Sequence, residues 1–230
     1  MRAKLIITFD DGTLDQYHAV KYLNEKQILA VIGVCPKYLG TPGYMTIEQA
    51  QELKALGNIV AGHSFSHMKL GQYSMMEIVN DAVMCRTMLE KIGLDSGHFI
   101  TPFGSNSIAS QEHVHHLEGM FGWIRLGQGG QDCNNEWIPT GGYRLYPIEY
   151  KNKTIGLSAQ ANVRDPNGIR RTVQNACDAR ALAVVAYHGV NHVYGNNTDI
   201  QWDQFVRDVS FFIQNRESID FSLPVIESIA

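Results

Sequence analysis

Apolar runs and amphipathic stretches alternate along this chain. Residues 4–9 (KLIITF) read as a buried strand, and 15–26 as a short helix turning Val20 and Leu23 inward. Residues 30–35 (AVIGVC) make a second strand stopped by Pro36, before a loop with Gly40, Pro42 and Gly43. Residues 46–57 form a helix whose Thr46 and Gln49 have capping-box spacing and whose end is Gly57. NIVAG (58–62) is a third strand. Residues 74–93 are a longer helix, with Ser74 and Glu77 at its start and Ile78, Ala82, Cys85, Leu89 and Ile92 in one stripe. Strands are expected at 98–100 and 123–126, with a helix at 110–117 between them. Residues 127–142 read as a loop, and 143–148 and 154–157 as short strands. A helix over 166–180, a strongly apolar strand at 181–189 (ALAVVAYHG), a helix over 202–215 and a strand over 220–226 complete the series. This alternation predicts a parallel sheet, open or closed into a barrel, in one α/β domain spanning 1–230.

Composition adds exclusions. The 230 residues are 44% hydrophobic and 18% charged, with a net charge of −4. No basic run is present, so neither nucleic acid nor an anionic membrane surface is an expected partner. No apolar stretch reaches the roughly 18 to 20 residues of a membrane span. The N-terminus enters a strand at once, leaving no room for an export signal, and the expected location is cytoplasmic. Cys35, Cys85, Cys133 and Cys177 form no CxxC pair; Cys85 and Cys177, in helical stretches, read as inert buried thiols. Asn152-Lys153-Thr154 and Asn196-Asn197-Thr198 fit a glycosylation pattern that has no meaning without secretion.

Chemistry gathers where strands end, which is where parallel α/β folds place functional groups. The first strand delivers Asp10 and Asp11, the third runs into HSFSH with His63 and His67, the fourth into TPFG, and the late apolar strand ends in Tyr187-His188. Two histidines four apart with a carboxylate can hold one metal ion and leave positions open. An isolated HxxxH is weak evidence, and Asp-Asp-Gly is also an ordinary turn sequence. His113, His115 and His116 lie in a polar helical stretch and read as a solvated face.

In this order the motifs resemble the polysaccharide deacetylase family (NodB-homology, carbohydrate esterase family 4), of which the chain looks like a divergent member. TFDDG is similar to the family's first motif, HSFSH to its second, TPFGS (residues 101–105) to part of its third and AVVAYHG to its last. The resemblance implies a distorted (β/α) barrel of seven or eight strands and a metal-dependent hydrolase. It would remove N-acetyl groups from an amino sugar, oligosaccharide or polysaccharide by attack of metal-activated water. Carried over residue by residue, it makes Asp11, His63 and His67 the ligands of one divalent ion, zinc before cobalt, manganese, nickel or iron. Asp10 becomes the general base, the backbone N–H of Phe103 an oxyanion donor, and His188 the acid that protonates the departing amine. Two free carboxylates so close would raise one another's pKa, and a dication on one relieves that repulsion.

Two departures stand out. Ile100 occupies the position of the family's third-motif arginine, and Arg125, ending the WIRL strand, is the candidate replacement. The family's fourth-motif aspartate has no clear counterpart; Asp132 and Asp165 are candidates. Trp137, Tyr143, Tyr194 and Trp202 lie near loops and could stack on a sugar, although ordinary packing is the simpler reading. The rival functions are ring opening of a small cyclic amide, an imide or allantoin-like ureide, with the same fold and metal, and a catalytically silent carbohydrate-binding relative.

Overall fold

In the computed structural model, residues 2–69, 72–103, 116–117, 119–125, 130–131, 137–138, 145–146, 158–190 and 199–224 are described. Alternation is realised as β1 (Ala3–Phe9), α1 (Leu14–Glu25), β2 (Val31–Val34), α2 (Ile47–Ala55), β3 (Ile59–Gly62), α3 (Met75–Lys91), β4 (His98–Ile100) and β5 (Trp123–Arg125). Then come β6 (Gly130–Gln131), β7 (Trp137–Ile138), β8 (Leu145–Tyr146), β9 (Ser158–Gln160), α4 (Gly168–Ala179), β10 (Leu182–Tyr187), α5 (Trp202–Gln214) and β11 (Ile219–Asp220). The main sheet runs β8-β5-β4-β3-β2-β1-β10-β9, with β11 also on β1. Its pairings are parallel except that β8 lies antiparallel on β5. The sheet curls into a half-barrel with the helices alternating along it, the distorted barrel expected from the sequence.

Side chains alternate between two faces. Leu5, Ile7, Phe9, Ile32, Val34, Val60, Phe99, Ile124, Val185 and Tyr187 join the helices in the larger core. Ile6, Val31, Ala61, Ile100, Trp123, Val184 and Ala186 form a smaller cluster on the other face. Burying each large apolar side chain is worth on the order of 1.5–3 kcal/mol, so both faces hold the strands in register. Carried past the strand ends, the same parity sends Asp10, His63, Arg125 and His188 toward the second face.

Three expectations need correction or restriction. Residues 127–142 are not all loop, because β6 and β7 pair antiparallel within them; strands of two residues leave no period to read. The last strand stops at Asp220, six residues short of the expected 226. The Asp220 carboxylate accepts from the Ser222 N–H (2.9 Å) and hydroxyl (3.1 Å), turning the chain, and Pro224 has no N–H to extend a ladder. The strand expected at 154–157 lies outside the described residues, as does 110–115 of the expected helix; His116 and Leu117 are helical, and His116 is exposed.

Candidate metal and acid–base site

β1 brings the two aspartates to the rim by pairing with β10 from Lys4 to Phe9, and the Asp10 N–H continues the ladder to the Tyr187 carbonyl (3.0 Å). Beyond Asp10 the chain turns sharply. Asp11 has φ +91° and Gly12 φ +77°, and a Cβ on Gly12 would sit 3.0 Å from Val34 Cγ1, so glycine is required there. The turn points the two carboxylates apart.

Asp11 faces the histidines. Its Oδ1 lies 3.4 Å from His63 Nε2 and 3.1 Å from His67 Nε2. Asp11, His63 and His67 each offer a ligand atom, all within 4.8 Å of one another. Nδ1 of buried His63 is 2.8 Å from the Ile100 carbonyl, which can only accept, so Nδ1 carries the proton. A protonated His63 ring donates from Nε2 to the Asp11 carboxylate, whereas a neutral one turns its Nε2 lone pair toward a carboxylate oxygen. Two acceptors at that separation call for a cation between them, and two nitrogens with one oxygen suit a zinc-type ion. The donor set fits a divalent metal. Burial pushes the Asp11 carboxyl up, but hydrogen bonds to His63 and His67 overcome it and hold the group well below the usual range. Cys35 is close by without competing as a ligand, since burial and then the charge of Asp11 push its thiol well up, and its S–H donates to the His63 carbonyl (3.0 Å).

Asp10 has different neighbours. Its Oδ2 accepts from Arg125 Nη2 at 2.5 Å and lies 3.6 Å from His188 Nε2. Burial raises the carboxyl, yet the charges of Arg125, His188 and His63 outweigh it and leave Asp10 below its ordinary value. The β4–β5 register pairs Ile100 with Arg125. Ile100 fills the apolar interior, and its Cδ1 would be only 3.2 Å from a Cβ on Gly33. The neighbouring strand thus supplies a guanidinium that the Ile100 position does not, and Arg125 is fully buried.

Phe103, just after β4, has φ +48°, and its ring packs 4.4 Å from that of His67. Four of the six non-glycine residues with positive φ among the described ones, Asp11, Ser64, His67 and Phe103, lie at this site. Such conformations cost on the order of 1–3 kcal/mol each and persist where surrounding contacts enforce them.

Two of those enforcing residues were not picked out by sequence reasoning. Asp81, inside the apolar stripe of α3, accepts from Ser64 Oγ (2.6 Å), Phe65 N (2.8 Å), Ser66 N (3.2 Å) and Ser66 Oγ (2.8 Å). A charge in an otherwise apolar helix face was the available signal. Gln16, fully buried, donates its amide to the carbonyls of Asp10 and His188, and its oxygen accepts from Gly12 N and Thr13 N. It stitches together the ends of β1 and β10, and its Thr13-x-x-Gln16 spacing repeats that of Thr46 and Gln49.

Over Asp11 and His67 opens a cavity of about 460 Å³, walled in part by Thr13, Tyr38, Tyr44 and Asp199. Tyr38 and Tyr44 stack with centroids 5.2 Å apart, and the Tyr38 hydroxyl donates to the Ser66 carbonyl (3.2 Å). Asp165 is exposed and paired with Arg171 at 2.5 Å, and Asp132 lies outside the described residues. Trp202 packs on Tyr22 and Phe205, which is the packing reading. Tyr143 and Tyr194 lie outside the described residues, and of Trp137 only its place in β7 is described. Cys85 is buried as expected, whereas Cys177 is half-buried.

The sequence matches the family model for polysaccharide deacetylases over residues 2–118, half of the chain. No curated protein matches it. Among solved structures it is similar to the family 4 carbohydrate esterase of Streptomyces lividans in complex with acetate (11% identity, 98% of this chain and 95% of that one, TM-score 0.55). It is also similar to the peptidoglycan deacetylase PdaC of Bacillus subtilis (15% identity, 95% and 86%, TM-score 0.53). A third likeness is to the chitin deacetylase of the fungal pathogen Colletotrichum lindemuthianum (12% identity, 91% and 82%, TM-score 0.52). At such identities these likenesses speak for the fold alone.

Proposed function

The chain belongs to the polysaccharide deacetylase family, a family of hydrolases of carbon–nitrogen bonds, and from that premise we propose a metal-dependent N-deacetylase. Its substrate is an N-acetylated amino sugar, free or within an oligosaccharide or polysaccharide. The observation that carries the reading is the division of two adjacent carboxylates, Asp11 turned to His63 and His67, Asp10 to Arg125 and His188.

Asp11, His63 and His67 would hold a divalent ion, zinc first among the candidates, which when bound supplies Lewis-acid chemistry at the amide carbonyl and at water. Asp10 accepts the proton of the attacking water. Its depressed pKa keeps it ionised at neutral pH, and Arg125 fixes its orientation. The Phe103 N–H donates to the oxyanion as it develops, a contact of the kind worth about 10²–10³ in rate. His188 protonates the departing amine, without which an amide nitrogen is a poor leaving group. Gln16 holds the backbone under both proton-transfer residues, so base and acid keep their spacing.

A substrate panel with added zinc or cobalt tests the proposal. It follows acetate release from N-acetyl sugars of increasing length beside ring opening of cyclic imides and ureides. Acetate release is the expected result; ring opening without acetate release would transfer the same residues to a cyclic amide, and neither activity from metal-loaded protein would sink the hydrolase reading.

A further inference from the structure

We propose that Asp81 is a positioning residue that aims His63 and His67 and so sets how tightly the three-residue site holds a divalent ion. The inference rests on the metal reading above. His63 and His67 are separated by a loop that has no ladder of its own, and two of its residues, Ser64 (φ +65°) and His67 (φ +59°), are left-handed without being glycine. Lys37 N and the Tyr38 hydroxyl donate to the Phe65 and Ser66 carbonyls, while the side chains and N–H groups of the loop converge on one carboxylate from the middle of α3. Both Asp81 oxygens are engaged, Oδ1 by Ser64 Oγ and Phe65 N, Oδ2 by Ser66 N and Ser66 Oγ, so each residue between the histidines up to Ser66 is tied to the same group. Ser64 Oγ relays the restraint onward, accepting from Met68 N at 2.8 Å, beyond the second histidine.

Asp81 makes these contacts while buried, and its helical neighbours Ile78, Ala82, Cys85 and Leu89 belong to the larger core. A carboxylate there is tolerable because its acceptor capacity is used. The lever is also stiff. α3 is anchored by its apolar stripe and by the Ser74–Glu77 capping box, so the loop takes its shape from the helix rather than from its own propensities. Asp81 touches neither the ligand atoms nor the groups proposed for proton transfer, so its effect reaches the site through the geometry of His63 and His67.

The test measures zinc dissociation constants by competition with a chromophoric chelator for the wild type, Asp81→Asn and Ser64→Ala, alongside thermal unfolding of the metal-free proteins. Asp81→Asn keeps the volume but cannot accept at both positions. It is expected to weaken zinc about 10- to 100-fold, the range for groups that orient metal ligands. Turnover by Asp81→Asn should recover toward the wild-type kcat at saturating zinc, since Asp10 and His188 are untouched. Folded Asp81→Asn with wild-type zinc affinity would overturn the proposal. If that variant does not fold, Ser64→Ala, which breaks the relay to Met68, decides in the same way. Wild type that binds no zinc would bring down the metal reading and this proposal together, whereas tight wild-type binding with unaltered variants sinks this proposal alone.

Discussion

Two buried aspartates, each beside an arginine, lie on opposite faces of the paired strands β1 and β10, and their environments drive them in opposite directions. Asp10, on the inner face, has its carboxyl held below the usual value. Asp208, on α5 behind the sheet, accepts from the buried Tyr187 hydroxyl (3.2 Å) and lies 3.2 Å from Arg170 Nε, yet its carboxyl is pushed up to about 7. Burial acts upward on both. For Asp10 it is answered by Arg125, sealed from solvent and 2.5 Å away, and by two histidines. For Asp208 the Tyr187 bond and the charge of Arg170 do not suffice. The Arg170 side chain is 25% exposed, so water screens it, and its Nε is not aligned to donate. Burial alone therefore does not say what a buried acid does; the enclosure and aim of its partner decide.

The comparison breaks most visibly at Asp10. Asp10→Asn should lower kcat about 10²–10⁴-fold, the usual contribution of a general base, with the fold intact by circular dichroism; near-wild-type turnover would remove Asp10 from the chemistry. Arg125→Leu comes next. It leaves a buried carboxylate uncompensated, which typically costs about 3–5 kcal/mol, and burial then raises Asp10. The acid limb of kcat/KM, measured with zinc saturating, should move to higher pH, because the base is protonated sooner as pH falls. An unmoved limb would mean that Arg125 does not hold the base ionised.

The smallest effect belongs to Asp208. Between pH 3.8 and about 7 the folded state keeps a proton that the unfolded chain has lost, so stability falls as pH rises through that window. Asp208→Asn removes the dependence. The variant should be more stable than wild type at pH 8 by on the order of 1 kcal/mol or more, lose that advantage at pH 4, and retain turnover. Equal destabilisation at both pH values would show a carboxylate already ionised in the fold.

Much of this was legible because it is local. The apolar run from Lys4 to Phe9 ending in Asp10, the capping boxes at Thr46 and Ser74, and the four-residue spacing of His63 and His67 all report on neighbours in sequence. What escaped is long-range. The Ile100–Arg125 replacement depends on strand register, which no single segment encodes; Arg125 was named as a candidate, and only its place opposite Ile100 shows why it reaches Asp10. Asp81 and Gln16 act on residues brought to them by folding, and in sequence each looks like a polar residue in a helix. The two-residue strands β6 and β7 are too short for any period.

The central claim is that two adjacent aspartates have separate work, and metal affinity tests it most directly. Zinc dissociation constants are measured for wild type, Asp10→Asn and Asp11→Asn at pH 7. The account predicts near-wild-type affinity for Asp10→Asn and a loss of at least about 10-fold for Asp11→Asn, the lower bound seen even for groups that only orient a ligand. Equal weakening in both variants would contradict it.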